Sequence, residues 1–309
     1  MMEISQFAPV LIPTLNRYEH FHRCVESLSK CTHADKTDLY IALDYPANDS
    51  HWEGYNKIKE YLNEVSGFKS VKIIQRDHNY GPIQNIEDAQ QQIFLKYDRI
   101  IFSEDDNEFA PNFLDYINKG LDKFENDHSV LAICGYIYPF KKPIESEFKY
   151  FYGKAFSAWG YGSWKSKPLH SEAYTSSELI NFLKTKTIRK KIKYYDERKL
   201  YLIKDYLRYN IEPYGDRSAV INILVNDKYC IFPTISKVRN WGHDGTGIHC
   251  GEINNDIFRL QPIDKNLSFE YYPETPINDK YFTNLLRNYF KLPIKTKIKK
   301  NIKYILNIK

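Results

Sequence analysis

The sequence predicts an α/β protein, with a mostly parallel sheet covered by helices on both faces and a helical elaboration toward the C-terminus. Three observations carry this. Short apolar runs alternate with longer segments of helical spacing between residues 8 and 140. Each apolar run stops at a polar cluster, on the sheet edge where such folds bind ligands. Beyond about residue 140 the alternation gives way to Gly- and aromatic-rich stretches, then to segments dense in Lys, Arg and Tyr.

The elements follow in order. "APVLIPT" reads as a buried strand stopping at Pro13 and Thr14, and "LNR" as its loop. In "YEHFHRCVESLSKC", Phe21, Cys24, Val25, Leu28 and Cys31 fall at helical spacing. "DLYIALD" is a second strand, ending on Asp44. "HWEGYNKIKEYLNEV" sets Trp52, Tyr55, Ile58 and Leu62 on one helical face. "VKIIQR" is a third strand, followed by the turn "DHNYGP" and the helix "IQNIEDAQQQIFLKY". "YDRIIFSEDD" is a fourth strand. "APNFLDYINKGLDKF" is a helix with Pro111 near its first turn, where proline is favoured. "SVLAICGYIY" is a fifth strand.

The polar punctuation falls at the carboxyl ends of these strands. It holds Thr14 and Arg17 in "TLNR", Asp44 in "DYPAND", Arg76 in "RDHNYG", and Glu104, Asp105 and Asp106 in "SEDD". Three adjacent carboxylates repel one another, so the run is either a solvated acidic turn before a helix or a cation site. Mg²⁺ and Mn²⁺ use one or two carboxylates together with phosphates and water, and an acidic cluster anchored by a buried strand suits them. The spacing is not that of an EF-hand, which needs alternate acids around a central Gly. His243, His249 and Cys250 lack standard zinc spacing.

Composition narrows the class. With 42% hydrophobic and 27% charged residues the chain is globular. Net charge is +5, but residues 291–309 alone hold seven Lys and no acid, so the body carries no nucleic-acid footprint. The five Cys are odd in number and form no CxxC pair, as expected of reduced thiols in a cytoplasmic protein. Neither a signal peptide nor a spanning apolar segment is read.

Past residue 140, Trp159, Tyr161 and Trp164 in "SAWGYGSW" suit either a sugar pocket or an aromatic core. "GDRSAVINILVNDKYCIFPTIS" reads as a short helix and a strand, and Asp216 as a helix cap. "VRNWGHDGTGIHCG" is too rich in Gly for regular structure. It is a mobile lid or a surface loop. Ile294, Ile298, Ile302 and Ile305 lie at i, i+4, i+8 and i+11 with Lys between them, which makes a basic amphipathic helix suited to an anionic membrane surface. With no repeat or Pro/Ser-rich linker, the chain is read as one domain over residues 1–255, whose character changes at about 140. An extension, 256–309, ends in the basic helix.

"VLIPTLNR", "YIALDYP", "IIFSEDDNEFAPNFLDYI" and "CIFPTISKVRNWGHDGTGIHCG" occur in the order seen in GT-A glycosyltransferases. Over residues 8–252 the chain most resembles the N-acetylglucosaminyltransferase I type and the bacterial glycosyltransferase family 2-like enzymes. The resemblance implies a Rossmann-like GT-A fold over residues 1–255, with a nucleotide-binding half to about 140 and an acceptor and catalytic half to about 255, a nucleotide-sugar donor (a UDP-sugar) and Mn²⁺ or Mg²⁺. It implies Asp106 as metal ligand, Glu104 and Asp105 toward ribose and sugar, Asp44 toward uracil, and Arg17 toward the nucleotide. Thr14 and Arg76 belong to the same donor edge. It offers Asp216 as the base of an inverting transfer and His249 as a metal or phosphate ligand; Trp159, Tyr161 and Trp164, with His243, are the candidates by side-chain chemistry for an acceptor and sugar pocket. The expected function is metal-dependent sugar transfer to a glycan or lipid-linked glycan in surface-polysaccharide or lipopolysaccharide biosynthesis. The rivals are a sugar-nucleotide-forming nucleotidyltransferase, which would need Gly in "PTLNRYEHFH", and a non-catalytic carbohydrate-binding protein.

Overall fold

The central strand, β1 (Val10–Thr14), explains why the sheet opens where it does. Its neighbour on one side is paired along the whole strand, Val10 with Leu39 through Thr14 with Leu43. On the other side the register stops after Val10 with Ile101 and Leu11 with Phe102. Pro13 has no N–H to give, so it sits where the second ladder has already ended.

The protein is described by a computed structural model covering residues 4–140, 144, 147–169, 174–211, 215–247, 256–272 and 280–305. Two units are distinguished. The first comprises Met1–Phe151, Ser157–Pro168 and Ile231–Pro276, and the second Tyr152–Phe156, Leu169–Cys230 and Ile277–Lys309.

The remaining strands are β2 (Asp38–Leu43), β3 (Ser70–Gln75), β4 (Arg99–Phe102), β5 (Asn107–Phe109), β6 (Val130–Cys134), β7 (Tyr150–Gly153), β8 (Tyr161–Trp164), β9 (Tyr229–Pro233) and β10 (Val238–Asn240). The main sheet has the order β3-β2-β1-β4-β8-β6-β9-β7. The strands β3, β2, β1 and β4 run parallel, as the alternating pattern predicts. Strand order reverses between β1 and β4, and crevices for ligands form at such switch points. Strand β8 lies antiparallel between β4 and β6. A second small sheet pairs β5 with β10.

In the first unit the helices are α1 (Tyr18–Ser29), α2 (Trp52–Tyr61), α3 (Gly81–Phe94) and α4 (Phe113–Lys123). Their apolar stripes are buried: Phe21, Cys24, Val25 and Leu28 on α1, and Phe113, Leu114, Ile117 and Leu121 on α4. Four of the cysteines (24, 31, 134 and 230) are buried free thiols. Segment 256–272 closes this unit through Asp264, which pairs with the buried Lys237 and accepts from Asn112 Nδ2 at 2.9 Å.

The second unit is helical: α5 (Ser176–Lys184), α6 (Lys186–Asp196), α7 (Arg198–Tyr209), α8 (Gly215–Val225), α9 (Lys280–Tyr289) and α10 (Ile294–Ile305). Thr175 and Glu178 form a reciprocal cap at the start of α5. Of the chain's 44 Lys and Arg, 22 lie in this unit, against 9 of its 39 Asp and Glu, so it is basic and the first unit acidic. Helix α10 docks on α7 through Tyr304, whose hydroxyl donates to Asp205 Oδ1 at 2.5 Å and lies 3.0 Å from the Tyr201 carbonyl. Ile294, Ile298 and Ile302 point away, 74%, 53% and 47% exposed, as a basic amphipathic helix requires. Among the described residues no helix is long and apolar enough to cross a membrane.

Candidate functional site

Beyond the paired part of β1 and β4, the chain places five polar side chains together. Thr14 closes β1, and its hydroxyl donates to Asp105 Oδ2 at 2.9 Å. Arg17 stands at the N-cap of α1 and pairs through one guanidinium nitrogen with Asp105 Oδ1 and with Asp106 Oδ2, the latter at 2.8 Å. Asn240, at the end of β10, donates from Nδ2 to Asp106 Oδ1 at 2.7 Å and to Asn107 Oδ1 at 3.0 Å. Each of the four carboxylate oxygens therefore has a donor, and both acids are only 8% exposed.

The scaffold beneath is rigid for stated reasons. Ile100, Ile101 and Phe102 are buried, so β4 fixes the acids at the sheet edge. The loop carrying Arg17 is gripped by α2. A side chain at Gly54 would put Cβ 1.8 Å from the Asn16 carbonyl, so only glycine allows that approach. Glu104 is half-buried, and its carbonyl accepts from Ser103 Oγ at 2.9 Å.

Burial would lower the Arg17 pKa, but the two carboxylates outweigh it and raise it. Burial lifts the Asp105 carboxyl above the usual range and Asp106 adds to that, while Arg17 opposes both.

The stretch 241–247 lies against this cluster. The Trp241 N–H donates to the Asp106 carbonyl at 2.9 Å, and its indole N–H to Glu108 Oε2 at 2.8 Å. Gly242 N–H donates to Asn240 Oδ1 at 2.9 Å. His20 Nε2 meets Asp244 Oδ2 at 2.8 Å. The Asp244 carboxyl is held at about 2: burial pushes it up, and bonds from Thr246 and His20 more than offset that.

The other predicted residues divide. Asp44 is buried at the end of β2; Oδ1 accepts from the Tyr45 and Tyr80 N–H groups at 2.9 and 2.8 Å, and Oδ2 from Asn79 at 3.3 Å. Arg76 turns into α3, donating to Asn85 Oδ1 at 2.8 Å and pairing with Asp88. Trp159 and His243 come together, ring centroids 5.6 Å apart, with Phe258 against both at 5.3 and 4.4 Å. Tyr161 and Trp164 are buried on β8 instead. Tyr161 lies 5.5 Å from the Phe102 ring, and the Trp164 indole donates to the Leu121 carbonyl at 3.2 Å. Asp216 is exposed in the first turn of α8, in the second unit. His249 and Cys250 lie outside the described residues.

Sequence reasoning missed Asn240 and Gly242. Their one local signal was the polar-then-glycine step in "RNWG", read there as loop.

Among the described residues no three His, Cys, Asp or Glu gather as a metal cage. The donor set that is present fits Mg²⁺ or Mn²⁺ nonetheless. Two hard carboxylates on a rigid edge are what these ions take from a protein when phosphate oxygens and water complete the shell. The pair already draws one cationic group, the Arg17 guanidinium.

Comparison with known proteins gives one family. Its model, described as Glycosyl transferase family 2, matches residues 10–195. Among solved structures, the mannosyltransferase PcManGT from Pyrobaculum calidifontis, in complex with GDP-Man and Mn²⁺, is similar at 12% identity and TM-score 0.38 over 52% of this chain and 45% of that one. TarS of S. aureus is similar at 14% identity and TM-score 0.34, covering 50% of this chain and 27% of that one. A TarS 1-349 structure gives 15%, 0.35, 51% and 47%. The match thus spans less than half of each of those chains. No curated protein matches in sequence.

Proposed function

The chain belongs to glycosyl transferase family 2, and from that premise we propose that it is an inverting, metal-dependent enzyme moving a sugar from a UDP-sugar to a glycan or lipid-linked glycan in surface-polysaccharide or lipopolysaccharide biosynthesis. Glycosyl transfer from a nucleotide-sugar comes with the family. The rest is our reading, and one observation carries it: Thr14, Arg17, Asp105 and Asp106 meet at the switch point between β1 and β4.

In this reading Asp106 would hold Mn²⁺ or Mg²⁺ together with the donor diphosphate, and His249, outside the described residues, is a further candidate ligand. Such an ion would neutralise charge developing on the departing nucleoside diphosphate. Glu104 and Asp105 orient ribose and sugar. Asp44 offers Oδ2 to the uracil N–H, its Oδ1 being engaged by the Tyr45 and Tyr80 amides. Arg17 turns to the phosphates, a task suited to its planar fork of donors. Arg76, engaged with Asn85 and Asp88, supports the loop after β3 from within. Trp159 and His243 provide a ring surface for a sugar face.

Asp216 takes the proton of the acceptor hydroxyl as that oxygen attacks the anomeric carbon. A single displacement by one base inverts the configuration. The stretch from Trp241 onward closes over the diphosphate as a lid. The basic second unit and the exposed Ile face of α10 hold the enzyme on an anionic membrane surface on the cytoplasmic side, where a lipid-linked acceptor resides. A screen of UDP- and GDP-sugars for nucleoside diphosphate release, with and without Mn²⁺, tests the donor and metal assignments together. Full activity in excess EDTA overturns the metal's role.

A further inference from the structure

The four carboxylate oxygens of Asp105 and Asp106 divide into two kinds. Two are held by neutral donors, Thr14 on Asp105 Oδ2 and Asn240 on Asp106 Oδ1. The other two, Asp105 Oδ1 and Asp106 Oδ2, share a single nitrogen of Arg17. The neutral donors orient the carboxylates. Among the described residues Arg17 alone is ion-paired with them, from a side chain 18% exposed. A divalent cation at Asp106 must therefore take the Oδ2 that Arg17 occupies, or share a carboxylate pair whose charge is already half neutralised. Either way it competes with a cation that is tethered and always present.

A diphosphate changes that balance. It brings anionic oxygens to the edge where Arg17 stands, and a guanidinium forms charge-assisted, bidentate bonds with phosphate readily. Once Arg17 has moved to the phosphates, Asp106 and the phosphates would be free to hold one metal ion, and Asp105 free to meet the donor. By linkage, whatever the nucleotide does to the metal's affinity the metal does to the nucleotide's.

We infer that Arg17 is an internal counter-cation of the Asp105–Asp106 pair, keeping metal affinity low until a nucleoside diphosphate draws the guanidinium away. This rests on the metal and donor reading above. It goes beyond that reading in giving Arg17 a role before the donor binds, so that metal and donor load together.

The test is Mn²⁺ binding without turnover, read from the free-Mn²⁺ paramagnetic resonance signal. Three proteins are compared: wild type, Arg17→Gln and Arg17→Lys, each with Mn²⁺ alone, with UDP and with GDP. Without nucleotide, Arg17→Gln should bind Mn²⁺ about tenfold more tightly than wild type, the size of an ordinary coupling. With the favoured nucleotide its advantage should vanish or reverse, because the phosphates lose their guanidinium. Arg17→Lys keeps the charge as a single ammonium of shorter reach, which spans both acids less well, and should lie between. Should Arg17→Gln fail to fold, as a buried acidic pair without its cation can cause, Arg17→Lys carries the test. Affinity for Mn²⁺ alone equal to wild type, in whichever variant folds, overturns the inference. If neither nucleotide promotes Mn²⁺ binding in any of the three proteins, the metal and donor reading itself fails, and the two failures are thereby told apart.

Discussion

Gly242 stands so close over Asp106 that a Cβ there would lie 2.1 Å from Oδ2. The carboxylate cannot retreat, because Asn240 holds its other oxygen at 2.7 Å and Arg17 holds Oδ2 at 2.8 Å. The reason for glycine at this position is space above a fixed carboxylate. Gly242→Ala should therefore shift Asp106 and cost roughly 10²-fold in kcat/KM, the scale of a misplacement near 1 Å. Steady-state kinetics beside a thermal melt checks this, since the melt should move little. Wild-type kinetics in the alanine variant would show that the Asp106 position is not critical.

Asp216 is assigned the proton-accepting role on the proposed mechanism. Asp216→Asn keeps shape and removes basicity, so kcat should fall by roughly 10²–10⁴-fold. Donor affinity, read by nucleotide-sugar titration, should hold. A fall in donor affinity with kcat intact would place Asp216 in donor binding instead.

Lys237 and Asp264 form a buried pair, their side chains 1% and 7% exposed. Lys237→Met leaves Asp264 unpaired and should cost about 3–5 kcal/mol, a fall in Tm of about 10 °C by circular dichroism. Adding Asp264→Asn should recover much of it. A single variant that melts like wild type would mean the pair contributes little.

The same aspartate sets an acid limit. Burial alone would raise its pKa, but bonds from Asn112 and Lys237 hold it at about 2, below the ordinary 3.8. A depressed folded pKa means its stabilisation is complete above 3.8 and is lost as pH falls toward 2. Asp244, also at about 2, acts in the same direction. Melts between pH 6 and 2.5 should show stability declining in the acid range, less steeply in the Lys237→Met/Asp264→Asn protein. Equal slopes would remove Asp264 from the account.

Replacing Ile294, Ile298 and Ile302 together by Asn should leave the melt unchanged, since all three point away from α7. It should lower co-sedimentation with phosphatidylglycerol vesicles by at least about tenfold, given what one buried Ile is worth. Added salt should weaken wild-type binding as well. Vesicle binding that survives the triple change would move the contact to another surface.

The first four parallel strands and their loops were legible because local periodicity writes them. Ile100 to Phe102 announce a buried strand, and the acids after it announce a ligand edge. What was not legible depends on partners distant in sequence. Strand β8 inserts between β4 and β6, and Gly162 there lies against Ile117, where a Cβ would come within 2.5 Å. From the sequence alone, Tyr161 and Trp164 looked equally fit for a pocket or a core. Arg76 ends its strand at the predicted edge, but Asn85 and Asp88, nine and twelve residues on, turn it inward. Asn240 reaches Asp106 across 134 residues, through a three-residue strand that a glycine-rich stretch conceals.

The most direct test is nucleoside diphosphate release from a panel of nucleotide sugars by wild type and Asp106→Ala, with Mn²⁺ and with excess EDTA. The account predicts release by wild type with Mn²⁺, and near-background signal in EDTA or in Asp106→Ala. Undiminished release in EDTA, or by Asp106→Ala with Mn²⁺, would contradict it.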